Sequence, residues 1–342
     1  MGLSQNKHRI FYNTTRLYKL DSSNASWLAS MDEPLTLVNP IFATLAEATR
    51  QNAFKMSDSA DQRRLTIKTI AKMMEKANET LIMKNSTARA FLLGRKVPLI
   101  QKLKRLMETF GSNSMEVPQM PDDGVIGLVS LMNATLDGPI EVYTGFGPTM
   151  DSLGDLISYK GKRRNSFYSG RCNRIQASVG ELRPMPIAPD QVLEVYQAQL
   201  CRIIRMIPTG QRKSQYGLGI QYVLNPIDFQ SAAKNPENRC YCTNASLASG
   251  DDFCSLNGAI SLAPCLYGSP MTLTLSNIEP DPKLTVDNID DWDAELLRPE
   301  VENVAPSDNR TQFLILRRFG LPIKVDLTII MYLKVIRDPM FK

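Results

Sequence analysis

The stretch Asn235-Pro236-Glu237-Asn238-Arg239-Cys240-Tyr241-Cys242 decides how this chain is read. Two cysteines stand one residue apart, behind an Asn-Pro turn. The other four are Cys172, Cys201, Cys254 and Cys265, so all six fall within 94 residues. An even number crowded into one region points to a disulfide framework made in an oxidising compartment, rather than to six buried thiols. A zinc site would need histidines or paired C-x-x-C spacings; this region offers only C-x-C and no histidine. Six cysteines allow 15 pairings. Setting aside the strained near-neighbour bond Cys240–Cys242 removes 3 and leaves 12 open.

Glycosylation acceptors point the same way. Asn-x-Ser/Thr occurs at Asn13, Asn24, Asn78, Asn85, Asn133, Asn244 and Asn309. Chance would give about three, and each acceptor has to lie at the surface to carry a glycan. The composition is that of a folded chain, 43% hydrophobic and 22% charged over 342 residues. The net charge of +5 is too small for a dedicated nucleic-acid binder, so no nucleic-acid partner is expected. His8 is the single histidine, and it sits in the N-terminal arm, so triad chemistry would depend on that one side chain. No nucleophile elbow, phosphate loop or dinucleotide fingerprint occurs, and no enzyme and no cofactor are expected. The apolar runs are all far shorter than the roughly 20 residues that cross a bilayer. The first ten residues lack a signal-peptide core, and Asn6 breaks the myristoylation pattern.

Working outward from the cysteines, the punctuation divides the chain in three. Residues 1–32 read as a strand segment, with Ile10, Tyr12, Leu17 and Tyr18 and a turn at Thr14-Thr15. Residues 33–117 read as helical. Pro34 opens a first helix that Asn39-Pro40 kinks or divides. A second begins at an Asp58 or Asp61 cap and packs Leu65, Ile70, Met73, Met74 and Ala77. A third covers 86–93, and a fourth runs from Pro98 to a stop at Gly111. Residues 118–342 read as β-rich, with short apolar runs at 125–131, 140–143, 156–159, 220–224, 260–262, 273–275, 313–316 and 325–333. One helix, 189–206, capped near Asp190 and carrying Cys201, interrupts them. The acidic, Pro-rich stretch 279–310 reads as a long surface excursion. The fold class is α+β.

The cysteine intervals and the words around them resemble the class B scavenger receptors, the family of the fatty-acid translocase, the high-density-lipoprotein receptor, the lysosomal integral membrane protein and the insect sensory neuron membrane proteins. Tyr159-Lys160-Gly161 ahead of Cys172, Asp190-Gln191-Val192-Leu193 leading to Cys201-Arg202, and Asn235 to Cys242 itself are similar to family segments. Gly268 and Pro270 fall at the family's offsets after Cys265. Leu37-Val38-Asn39-Pro40-Ile41 resembles the opening of the family's first apical helix, and Asn133-Ala134-Thr135-Leu136-Asp137-Gly138 a glycosylated turn. Ser276-Asn277-Ile278 stands where the family has Pro-His-Phe.

The resemblance implies an antiparallel β-barrel-like core with an apical helical bundle. It implies the pairs Cys172–Cys240, Cys201–Cys265 and Cys242–Cys254. Against the family pattern the chain lacks N-terminal strands and both membrane anchors. The implied function is a cell-surface or lysosomal membrane receptor whose ectodomain faces the extracellular or luminal side. Its ligands would be fatty acids, phospholipids, sterols or lipoproteins, with a protein ligand at the apex as a further partner. Lipid would pass through a hydrophobic tunnel walled by the inward faces of 125–131, 220–224 and 325–333. For ligand capture the sequence offers Arg64, Lys68, Lys72 and Lys76, one row at intervals of four on the second helix. The rival readings are a secreted β-rich hydrolase using carboxylates from Asp287, Asp290, Asp291, Asp293 and Glu295, and an adhesion or enzyme-trafficking receptor without lipid transport.

Overall fold

Alternation of buried and exposed side chains builds most of this chain. The computed structural model describes residues 2–18, 25–102, 123–242, 256–278 and 312–333, apart from a few single positions and pairs, together with Cys254. Asn24, Asn244, Asn309, the whole stretch 279–310 with its carboxylate run, and the expected helix end at Gly111 lie outside the described residues.

The chain opens with β1 (Gly2–Leu3) and β2 (Arg9–Thr15), then α1 (Ala25–Ser30) and β3 (Leu35–Val38). Two 17-residue helices follow, α2 (Pro40–Met56) and α3 (Ala60–Lys76). After them come β4 (Ile82–Ser86), α4 (Ala88–Leu93), β5 (Arg95–Lys96), β6 (Val125–Ile126), β7 (Leu136–Tyr143) and β8 (Leu156–Tyr159). The disulfide region contributes β9 (Leu193–Gln197), β10 (Arg202–Ser214) and β11 (Gly217–Leu224). The remaining strands are β12 (Ile260–Ser261), β13 (Met271–Leu275), β14 (Gln312–Leu316), β15 (Pro322–Asp326) and β16 (Ile329–Leu333).

These elements form two compact units. The first holds residues 1–13, 137–266 and 271–332. Its strands lie in sheets ordered β1-β2-β7-β8, β15-β14-β11-β10-β9 and β12-β13-β16. Ser178 bridges Asp155 at the head of β8 and Val195 in β9, which continues the first sheet into the second as a curled half-barrel. One cluster buries Ile187, Leu193, Val195, Met206, Ile220, Tyr222 and Ile315. A second gathers Ile204, Phe229, Ile260, Leu262, Leu273 and Leu275, and a third Ile140, Val142, Leu156, Ile175 and Tyr196. Ile220 and Tyr222, expected along a tunnel wall, are fully buried within the first cluster, while Val325 is 53% exposed.

The second unit holds residues 14–136, 267–270 and 333–342. Here α2 and α3 pack through Ile41, Phe42, Leu45, Ile70, Met73 and Met74 onto Val97, Leu99 and Ile100. β3 pairs with β4, and β5 with β6.

Several expectations are corrected. The stretch 189–206 is β9, a short 3-10 turn at Ala198–Leu200 and the start of β10, not a helix. Val195, Ile203, Ile204 and Ile207 are β-branched, and β10 alternates buried and half-buried side chains from Arg202 to Ile207, a period of two. Pro189 and Asp190 belong to a turn in which Gln191 N donates to Ala188 O at 3.2 Å. Pro34 opens no helix: 35–38 is a strand, because the residue before a proline is driven to extended backbone and Pro40 therefore starts a helix instead of kinking one. Ser59 occupies the position ahead of the second helix in extended backbone, with Asp61 in the helix's first turn. Thr87 caps α4, its Oγ1 accepting from Ala90 N at 3.1 Å. β2 runs through Thr14 and Thr15 without turning. Among the described residues of 125–131 only Val125–Ile126 is strand, and 325–333 divides between β15 and β16, which lie in different sheets. Leu65 is 68% exposed; Ile67, fully buried, takes the packing place expected of it.

Candidate functional site

In the second unit, α3 carries the row expected from the spacing. Arg64, Lys68, Lys72 and Lys76 are all exposed. Ile67 and Met74, seven residues apart, point the other way into the packing. Arg63, beside the row, is held by Asp58 at 3.7 Å. Among the described residues none of the four forms an ion pair. Two of the flanking acceptors, Asn78 and Asn85, are exposed with positive φ, as is common for Asn in tight turns. Asn13 is exposed too, whereas Asn133 is half-buried and accepts from Tyr18 N at 2.8 Å.

The frame that holds α3 is a buried polar network. Asn39 is fully buried and caps α2, its Oδ1 accepting from Ile41 N and Phe42 N at 3.1 and 3.2 Å. Its Nδ2 donates to Glu79 Oε2 and to Thr80 O, both at 3.0 Å. Glu79 lies three residues past the end of α3 and is 5% exposed. Arg95 in β5 closes on it with two parallel bonds, at 2.9 Å to Oε1 and 2.6 Å to Oε2. One carboxylate thus locks the start of α2, the end of α3 and β5 together.

In the first unit the cysteines pair as Cys172–Cys240, Cys201–Cys265 and Cys242–Cys254, with Cα separations of 5.6, 5.9 and 5.5 Å, which suit disulfide geometry. The first two pack with Tyr168 and Tyr241. Asn165 Nδ2 donates to the carbonyls of Cys172 and Cys201, both at 3.1 Å. Arg202, next to Cys201, is 6% exposed, and its guanidinium lies 3.7 Å from the centre of the Tyr241 ring. Beside it a pocket of about 120 Å³ is bordered by paired charges. Arg205 binds Asp228 through its backbone N at 2.7 Å and its Nε at 2.8 Å. Arg174 reaches Glu194 at 2.7 Å, and Arg171 reaches Glu237 at 2.9 Å. The hydrogen bond to Asp228 raises the pKa of Arg205, and burial raises that of Tyr241. The sequence marks Arg202 beside Cys201 and Glu237 ahead of Cys240, but nothing local marks Arg171, Arg174, Glu194, Arg205 or Asp228.

Asp155 lies close enough to this group to feel it. Burial first, then Glu194, raise its pKa, and Arg174 opposes them. A carboxyl whose folded pKa is raised favours the fold at low pH, and that support is lost as pH rises from its unfolded value of about 3.9 through the folded one. Asp155→Asn is therefore expected to raise the urea midpoint at neutral pH and to bring no gain below about pH 3.9. An equal gain at both pH values in paired urea titrations would contradict this.

The carboxylates of the rival hydrolytic reading, Asp287, Asp290, Asp291, Asp293 and Glu295, lie outside the described residues. His8 is half-buried just before β2, and its Nδ1 meets Phe146 O at 3.0 Å. Among the described residues no cluster suits a metal ion, and no helix is long and apolar enough to cross a membrane.

Comparison with known proteins gives this architecture a lineage. Over 162 residues the chain is 32% identical to sensory neuron membrane protein 2 of Manduca sexta, covering 45% of this chain and 30% of that protein. Over 157 residues it is 32% identical to sensory neuron membrane protein 1 of Helicoverpa assulta, covering 44% of this chain and 27% of that protein. The matched stretch thus spans less than a third of either relative. The CD36 family model matches residues 2–283. With that match over most of its length, the chain belongs to the CD36 family, a relative of the class B scavenger receptors.

Proposed function

We propose that this chain is the ligand-binding part of a scavenger-receptor-like membrane receptor that captures anionic lipids and lipoproteins through α3. The observation that carries the reading is the row Arg64, Lys68, Lys72 and Lys76, exposed and without ion-pair partners among the described residues. Four like charges along one helix repel one another, so a counter-charge from a ligand relieves a cost that the helix bears alone. The relevant ligands are fatty acids, phospholipids, sterol-bearing particles and modified lipoproteins, which present many anionic groups and gain from several weak contacts at once. The helices of 33–117 act in this reading as the capture module. Passage of lipid through an interior conduit, on the plasma membrane or in the lysosome, is the further step that family membership supports.

The test uses maleylated albumin, an anionic particle without a bilayer. In Lys68→Glu/Lys72→Glu/Lys76→Glu each reversal costs about 1 kcal/mol of attraction at an exposed site. Three together weaken binding on the order of 100-fold. Binding by the parent chain should also fall as salt shortens the screening length. Circular dichroism should be unchanged, since none of the three side chains is buried. Undiminished binding by the folded triple variant would return the row to an ordinary solvated helix face.

A further inference from the structure

Two hairpins of the first unit end side by side. The turn joining β10 to β11 is Gln215-Tyr216, between the paired residues Ser214 and Gly217. The turn joining β14 to β15 is 317–321. Gly219 pairs with Leu316, and Arg317 N donates to Leu218 O at 3.1 Å, so both turns leave the sheet at the same end. A third segment lies alongside: Ile187 N donates to Arg317 O at 3.1 Å, and Arg317 Nε to Ile187 O at 3.2 Å.

This end is unusually apolar for turn residues. Met185 is 50% exposed, Tyr216 63%, Phe319 49% and Leu321 44%. Turns are ordinarily polar, and here Tyr216 and Phe319 lie among basic residues. Arg212, Lys213 and Arg318 are exposed and Arg317 half-buried. Arg318 extends over the Phe319 ring at 5.6 Å. Among the described residues none of the four pairs with a carboxylate; Lys324, which does, is held by Asp326 at 2.8 Å. The nearest exposed acids on these segments are Glu181 and Asp190, two against four. Beneath the second turn lies a fifth cation. Arg183 is 4% exposed, its Nε and Nη1 lack partners among the described residues, and its Cγ stands 2.8 Å from where a Cβ on Gly320 would be. With φ at +62°, Gly320 is where the turn needs glycine, and the close approach of Arg183 excludes a larger residue there.

We propose that this end of the half-barrel docks on an anionic lipid bilayer, with Tyr216, Phe319 and Leu321 entering the headgroup layer and the arginines meeting its phosphates and carboxylates. Aromatic rings with one apolar and one polar side settle at the membrane–water boundary, and basic residues beside them are drawn to anionic leaflets. Separate protruding turns suit a deformable surface. A second copy of the chain would set cation against cation, so self-association at this end is disfavoured. The site is distinct from the row on α3, which captures ligand by charge alone.

The experiment follows depth rather than attachment. Phe319→Trp is introduced into the full chain, and its emission is compared with that of the parent, whose own two tryptophans supply the background. Vesicles of phosphatidylcholine, with or without phosphatidylserine, carry brominated acyl chains as quenchers. The expected result is a blue shift and quenching specific to Phe319→Trp on phosphatidylserine vesicles. Partitioning should be weaker by at least ~10-fold after Arg317→Glu/Arg318→Glu and on pure phosphatidylcholine. Leu321→Trp repeats the reading should the first variant fold poorly. Lys68→Glu/Lys72→Glu/Lys76→Glu added to Phe319→Trp should leave the quenching depth unchanged, which separates this result from the fate of the α3 reading. Attachment without quenching at either position would overturn the proposal. So would quenching that is indifferent to phosphatidylserine, or a lipid-free dimer that Phe319→Asp dissolves.

Discussion

Replacing Cys201 and Cys265 together by alanine is expected to destabilise the first unit by about 4 kcal/mol, since the bond between them closes a loop across 64 residues. A cross-link stabilises mainly by restricting the unfolded chain, and its effect grows with the logarithm of loop length. The bond also joins the head of β10 to the segment that follows β12, which belong to different sheets. Cys201 sits with φ at 50° between the 3-10 turn and β10, where the Asn165 amide also holds its carbonyl. The double replacement avoids a free thiol. Removing Cys242–Cys254, with a separation of only 12, should cost about 3 kcal/mol. Urea titrations followed by circular dichroism supply both numbers. A larger loss from the short loop than from the long one would show that native contacts, not chain entropy, dominate.

Arg95→Ala is expected to destabilise the second unit by roughly 3–5 kcal/mol, because it leaves the Glu79 carboxylate buried and unpaired. Glu79 also receives the Asn39 amide, so the loss would loosen the caps that hold α2 and α3. A control is built into the same unit. Arg89 grips Asp32 with the same two-bond geometry, at 2.6 and 2.8 Å, but at the surface. Water already screens that pair, so Arg89→Ala should shift the unfolding midpoint little. Replacing both Glu79 and Arg95 by glutamine and methionine should recover much of the stability lost by Arg95→Ala, since the stranded charge is gone. Comparable midpoints for Arg95→Ala and Arg89→Ala would mean that burial does not govern the buried pair.

How far the sequence could be read depended on the range of the interaction involved. The row on α3 was legible because four-residue spacing on a helix is a local property, and Ser59 in place of Asp58 or Asp61 at the cap changes the start by little. Ile220, Phe313 and Leu273 announced their strands by short apolar runs between turns. The stretch 189–206 misled because Pro189 and Asp190 imitate a helix start. Only pairing of Ile203 with Tyr196 and of Ile207 with Val223 makes β10 a strand. Asn39-Pro40 was read as a flaw in a helix, although a buried carboxylate 40 residues away makes it a cap.

By itself the sequence determined the family, the two kinds of secondary structure and the cationic row. Each of these rests on residue types at fixed short spacings, and backbone geometry converts such spacings into faces and turns. The cysteine pairs implied by the resemblance are the ones the structure forms; the tertiary structure alone decided how Glu79 joins Asn39 to Arg95, and that Tyr216 and Phe319 leave the sheet at one end. Those juxtapositions join residues as much as about a hundred positions apart. They are set by strand pairing and by the burial of apolar faces against each other, and neither leaves a mark on the local pattern of either partner.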